Sequence, residues 1–185
     1  ADFTKGPFYI GTWASTIQWI KDAGGKASVE VDIYGGLKGE ITKDLAYDVG
    51  LLSYQYPNNK LNPKAETLEA YGALTYGPVT AKYSQSTGTL FGFAGSTGSG
   101  YLDITATFDV GGISVAPHIG HQTVKGKGNG IYSYTDYALA LSKEVSGVTW
   151  SATVYGTDAK ATSYPSPSKQ NLGKSSVVLG AKLAF

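Results

Sequence analysis

The chain has 185 residues, 42% of them hydrophobic, and a formal net charge of +1; this is the length of one domain and a charge too near neutral for a nucleic-acid binder. All 15 basic side chains are lysine, so the guanidinium fork that reads phosphates and bases is missing, and with no cysteine there is neither a disulfide framework nor a thiolate metal site. No apolar run approaches the roughly 20 residues of a transmembrane helix, so a membrane crossing would have to be made by strands. The chain opens at Ala1 without methionine or a basic and apolar leader, and any signal peptide is expected to have been removed.

Strand and turn signals alternate from end to end. Period-two runs predict ten strands, near residues 6–16, 27–39, 45–56, 66–77, 79–86, 100–110, 113–124, 135–145, 148–158 and 175–185, and no helix of normal length. The connections alternate in length: TIQWIKDAGGK then EITKD, PNNKLNPKA then GP, TGTLFGFAGSTGS then GG, KGKGNGIYSY then SG, and finally the long AKATSYPSPSKQNLGK. Short turns on one side and long loops on the other are the signature of an up-and-down barrel of the bacterial outer membrane. The expected fold class is all-β, an antiparallel transmembrane β-barrel forming one domain over residues 1–185, with both ends on the periplasmic side.

Parity within the strands gives each one a polar and an apolar face. Val29, Val31, Ile33 and Leu37 alternate with Ser28, Glu30, Asp32 and Lys38; Leu102, Ile104, Ala106 and Phe108 alternate with Asp103, Thr105 and Thr107. The last eleven residues repeat the pattern, with Val177, Leu179, Ala181, Leu183 and Phe185 on one face and Ser176, Gly180 and Lys182 on the other. An aromatic carboxy-terminus on such a strand points to the outer membrane and to the barrel-assembly machinery as a partner through Phe185. Alternation alone fits a soluble barrel as well, with the apolar face turned inward. Two details favour lipid outside. Phe8, Tyr47, Tyr76, Phe108, Trp150 and Phe185 fall beside the short turns and Tyr83 and Tyr137 near the long loops, as two aromatic girdles would. The opposite face carries Glu30, Asp32, Asp48, Glu69, Asp103, Asp109 and Asp136. Parity is ambiguous at 9–14 and 50–56, where apolar residues occupy both faces.

The stretches FYIGTWAST (8–16), VEVDIYGGLKGEI (29–41), YDVGLLSYQYP (47–57), ETLEAYGALTYGPVTAKYS (66–84), YLDITATF (101–108) and YSYTDYALALSKEV (132–145) resemble the TorF-type family of small porins of Gram-negative outer membranes, over nearly the whole chain. That resemblance implies a porin-like barrel in the outer membrane. Members of that family usually carry an additional upstream hairpin with an FRG-type segment, which has no counterpart before Phe8; with it the count would be twelve strands.

As a pore, the barrel would be lined by Glu30, Asp32, Lys38, Asp48, Glu69, Lys82, Asp103, His118, Asp136 and Lys182. Acids outnumber lysines on that face, so cations are the expected solutes. The alternative is a lumen plugged by acids paired with lysines and tyrosines. In the loop TGTLFGFAGSTGSG (87–100), flexible through its glycines, Phe91 and Phe93 are expected to form a constriction or meet a partner, or to be incidental surface aromatics. A non-conducting barrel that presents loops to proteins or lipopolysaccharide is the second reading, with Lys125 and Lys127 available to lipid phosphates, and a homo-oligomer is compatible with either. Catalysis is not expected. His118 and Asp103, with His121 one step higher, are a thin basis for acid–base chemistry, and the GKS triplet at Gly173 has Ser168 where a phosphate loop needs its leading glycine. No cofactor motif and no metal-ligand spacing occurs.

Overall fold

A computed structural model describes residues 1–164, 167 and 169–183; the aromatic terminus Phe185 therefore lies outside the described residues. Twelve strands form one antiparallel sheet: β1 (Asp2–Lys5), β2 (Phe8–Thr16), β3 (Val29–Thr42), β4 (Leu45–Gln55), β5 (Thr67–Tyr76), β6 (Val79–Ser86), β7 (Gly100–Ala106), β8 (Phe108–Val110), β9 (Ile113–Thr123), β10 (Tyr134–Val145), β11 (Val148–Thr157) and β12 (Ser176–Leu183). Each pairs with its neighbour in sequence, except that β7 and β8 both pair with β9. The edges are β1 and β12. Among the described residues helix is confined to one four-residue turn, α1 (Trp19–Asp22), and one 3-10 turn at Asn129–Tyr132.

The periodicity predicts ten strands, and the structure differs in two places. Asp2–Lys5 pairs with Lys5 opposite Phe8 across a two-residue turn, so a strand does precede Phe8. The stretch 100–110 is split at Thr107. Thr105 pairs with His118 and Phe108 with Val115, the same register on both sides of the gap, which puts Pro117 and Ala116 opposite it. Proline has no N–H to give to a ladder, and the ladder lapses there.

Short turns collect at one end of the sheet, at 6–7, 43–44, 77–78, 111–112 and 146–147, and all long connections at the other. Gly111 and Gly112 have φ of +63° and +78°, and Ser146 and Gly147 +52° and +80°. Two successive positive φ values make the type I′ turn, whose twist matches that of the paired strands.

The core is in an unusual place. Among the described residues the buried hydrophobic side chains are Ile20, Ala27, Tyr56, Ala65, Leu90 and Val124, all within or next to the long connections. The strands bury none. Instead one face of the sheet is apolar and exposed: Leu51 is 52% exposed, Ile119 51% and Leu179 79%. Phe8, Tyr76, Phe108 and Trp150 are exposed at the short-turn end, and Tyr83 and Tyr137 at the other.

The opposite face carries a repeated device. A Cβ on Gly11 would strike the ring of Tyr34, on Gly50 that of Tyr71 and on Gly120 that of Tyr101, and one on Gly36 would meet the Val49 carbonyl and the Tyr9 hydroxyl. Tyrosine side chains thus lie over glycines of the adjacent strand. Glycine–aromatic pairs of this kind cover backbone that would otherwise be bare, and the apolar face has two more, Tyr83 over Gly100 and Tyr137 over Gly156.

Candidate functional site

Register settles which residues share the polar face. Lys38 pairs with Asp48, Asp48 with Ala73, Ala73 with Lys82, Lys82 with Asp103, Asp103 with Gly120, and Gly120 with Asp136, one continuous row from β3 to β10. Glu69 stands two rows away on β5, buried, opposite Leu52 and Ser86. Glu30 and Asp32 are at the loop end of β3, and Lys182 pairs with Thr149 near the turn end of β12. The sequence-derived lining residues therefore share one face but form separate groups.

In the first group Tyr9 Oη donates to Asp48 Oδ1 at 2.5 Å and also contacts the Tyr71 hydroxyl. The lysines of this region do not reach the carboxylates. Lys38 Nζ sits 5.3 Å from the Tyr9 ring centroid and Lys82 Nζ 4.2 Å from that of Tyr71, as cation–π contacts. Acids bonded to tyrosines are present, whereas acid–lysine pairs are not among the described residues.

The second group surrounds His118. Its Nε2 is 2.8 Å from Asp136 Oδ1 and its Nδ1 3.4 Å from Asp103 Oδ2, while Tyr101 Oη donates to both oxygens of Asp136 at 3.1 and 3.0 Å. Each ring nitrogen therefore faces a carboxylate of a neighbouring strand. His121 does not join them. It pairs with Leu102 and lies on the apolar face, three residues from His118 and therefore of opposite parity, with its Nδ1 3.0 Å from Thr135 Oγ1.

Above the loop end of the polar face, the long connections fold over one another and border an open-sided cavity of about 880 Å³. One wall is a chain of edge-to-face rings: Trp19 on Tyr56 at 5.1 Å, Trp19 on Phe91 at 6.4 Å, and Tyr54 on Phe91 at 5.1 Å. The other runs Phe93–Tyr132 at 4.5 Å, Tyr132–Tyr164 at 5.9 Å and Tyr134–Tyr164 at 5.7 Å. Glu30 and Asp22 also line the cavity. Burial first, then a hydrogen bond with Glu30, holds the Tyr56 phenol far above its ordinary range, so it remains a neutral donor.

The loop that supplies Phe91 and Phe93 is not loose. Ser96 Oγ accepts from Leu90 N (2.8 Å) and donates to the Phe93 carbonyl (2.5 Å), Ser99 Oγ donates to the Ser96 carbonyl (2.5 Å), and Lys125 N donates to Ser99 Oγ (2.9 Å). Ser96 and Ser99 are fully buried. Gly92, Gly95 and Gly98 take φ of +85°, +67° and +80°, so the glycines serve tight turns rather than mobility. Phe91 itself has φ +45°, a conformation costly for a bulky residue. It is held by its N–H to Thr67 Oγ1 at 2.8 Å and by its ring contacts. The sequence singled out Phe91 and Phe93 but not Trp19, Tyr54, Tyr132 and Tyr164, which join them from four other segments.

Fold and site together define an antiparallel β-sheet protein with an uncovered apolar face, a polar face of tyrosines and carboxylates, and an aromatic cavity at its loop end. The chain belongs to the family described as "Bacterial protein of unknown function (Gcw_chp)", whose model matches residues 3–185. No curated protein and no solved structure matches it.

Proposed function

We propose that the sheet is the wall of a β-barrel in the bacterial outer membrane and that its lumen is a narrow, cation-preferring channel for small solutes. The observation that carries this is the exposed apolar face. A water-soluble monomer of 19.4 kDa exposes about 8,500 Å², whereas this chain exposes 11,586 Å². Among the described residues the strands contribute no buried hydrophobic side chain. Soluble proteins keep contiguous apolar patches to a few hundred Å²; a face running the length of the sheet needs hydrocarbon against it. Aromatic residues at both ends of that face are placed as interfacial girdles are, and the resemblance to TorF-type porins supports the same reading.

Hydrocarbon tolerates no open sheet edge, because unpaired backbone groups cost several kcal/mol each there. The edges β1 and β12 run in the same direction, each being antiparallel to its neighbour along a path of eleven positions. All-antiparallel closure then sets β12 against β2 in place of β1, for ten strands, or against one further strand, for twelve. Closed this way, the row from Lys38 to Asp136 lines the lumen. The polar face as a whole carries Glu30, Asp32, Asp48, Glu69, Asp103 and Asp136 against Lys38, Lys82 and Lys182, an acidic balance that favours cations. Recording from planar bilayers in a salt gradient tests the proposal. A reversal potential of cation-selective sign is expected; anion selectivity, or absence of conductance from inserted protein, contradicts it.

A further inference from the structure

The cavity at the loop end has a chemistry that the channel reading does not use. Its volume of about 880 Å³ is that of a site for a whole small molecule rather than a few waters. Residues from five long connections meet there, including Trp19, Tyr56, Phe91, Tyr132 and Tyr164. Among the described residues the charged side chains in its lining are Glu30 and Asp22, and no lysine lines it. Behind Glu30 on the same face of β3 is Asp32, cross-strand partner of Tyr54, with Oδ1 buried and without a hydrogen-bond partner. Tyr54 lines the cavity, whereas Asp32 is a neighbour of that lining and not part of it. Aromatic faces on two sides and carboxylates below suit a cation with an apolar body: ring faces attract a positive charge, most strongly where water is excluded, and carboxylates supply the counter-charge. Phe91, held at positive φ by Thr67, shows that the wall is built at a conformational cost, as binding clamps are.

We propose that this cavity binds organic cations, amines or quaternary ammonium compounds carrying an aromatic or alicyclic group, with the nitrogen toward Glu30 and Asp32 and the body between the walls of Trp19–Tyr56–Phe91 and Phe93–Tyr132–Tyr164. This deepens the channel reading, on which it rests for the cavity's position at the lumen mouth. The site is a recognition vestibule ahead of the row of pore charges.

The test uses the full chain in nanodiscs of zwitterionic lipid, titrated calorimetrically with benzyltrimethylammonium, benzyl alcohol and benzenesulfonate. The cation is expected to bind at least about tenfold more tightly than the other two. Glu30→Gln should weaken it about tenfold, and Phe91→Leu, which keeps apolar bulk but removes the ring face, about threefold. Should Glu30→Gln lose the native circular dichroism spectrum, raising the salt concentration on the unaltered protein tests the same charge: affinity for the cation must fall. Equal affinities for the three probes, or a cation affinity indifferent to both Glu30→Gln and salt, overturns the proposal. Conductance recorded on the same preparation separates the two readings. A protein that conducts but does not discriminate the cation refutes the vestibule alone, and one that binds the cation without conducting refutes the channel alone.

Discussion

Replacing Gly120 with alanine should destabilise the fold far more than one methyl group ordinarily does. The new Cβ would lie 2.5 Å from Tyr101 Cζ and 2.9 Å from Asp136 Oδ2, well inside van der Waals contact, so the ring has to swing off the strand. That movement breaks the hydrogen bonds of 3.0 and 3.1 Å from Tyr101 to Asp136. Overpacking costs about 1–3 kcal/mol and a hydrogen bond to a charged group is worth about 1.5–3 kcal/mol. The Asp136 side chain is 27% exposed and regains some solvation, so the net expectation is about 2–3 kcal/mol. Gly72 is the internal control. The nearest atom to a Cβ there is Val49 Cγ1 at 3.8 Å, an ordinary contact, and Gly72→Ala should lie within about 0.5 kcal/mol of the parent. Equilibrium unfolding in urea from lipid vesicles, followed by fluorescence, measures both. In a Tyr101→Ala background the cost of Gly120→Ala should largely vanish, the mark of pairwise coupling. Equal effects at Gly72 and Gly120, or an undiminished cost without Tyr101, would refute the glycine–tyrosine packing.

Further substitutions probe other parts of the structure. Ile104→Arg, in the middle of the apolar face, should cost about 2–4 kcal/mol in a bilayer, whereas Thr105→Arg on the polar face should cost less than half of that; equal costs would mean that the faces are not differently solvated. Asp48→Asn removes a carboxylate from the row that meets Lys38 and Tyr9 and should lower the cation-to-anion permeability ratio by about a factor of two, read from reversal potentials; an unchanged ratio would remove Asp48 from the conduction path. Ser146→Gly relieves a φ of +52° in the β10–β11 turn and should stabilise the protein by up to about 1 kcal/mol; a lower urea midpoint would contradict the turn geometry.

Strand positions and the division of faces were legible because a sheet with one apolar side imposes a period of two that no local feature can hide. Leu102, Ile104 and Phe108 against Asp103 and Thr105 could be read directly. The pattern blurred where apolar residues sit on the polar face. Trp13 shares that face with Tyr9 and pairs with Asp32, and Leu52 lies between Gly50 and Tyr54; both are near the aromatic loop end, where ring packing replaces charge. The gap at Thr107 was in principle readable from Pro117, but only once the register was known. The cavity was the least legible part, since Trp19, Phe91, Tyr132 and Tyr164 come from separate connections and no periodicity links them. The glycines at 92, 95 and 98 looked like flexibility, and only the serine hydrogen bonds that close the same loop reveal them as turn positions. Likewise the lysines looked like natural partners for the acids until the tyrosine rings beneath Lys38 and Lys82 were seen.

Whether hydrocarbon covers the apolar face is measured most directly by single spin labels at residues 102, 103, 104 and 105 of the vesicle-reconstituted protein, with collision rates against oxygen and a water-soluble nickel chelate. Labels at 102 and 104 should collide mainly with oxygen, which concentrates in lipid, and those at 103 and 105 mainly with nickel or with neither. High nickel accessibility at 102 and 104, or shielding of those two positions from both reagents as in a protein core, would contradict a membrane-embedded wall.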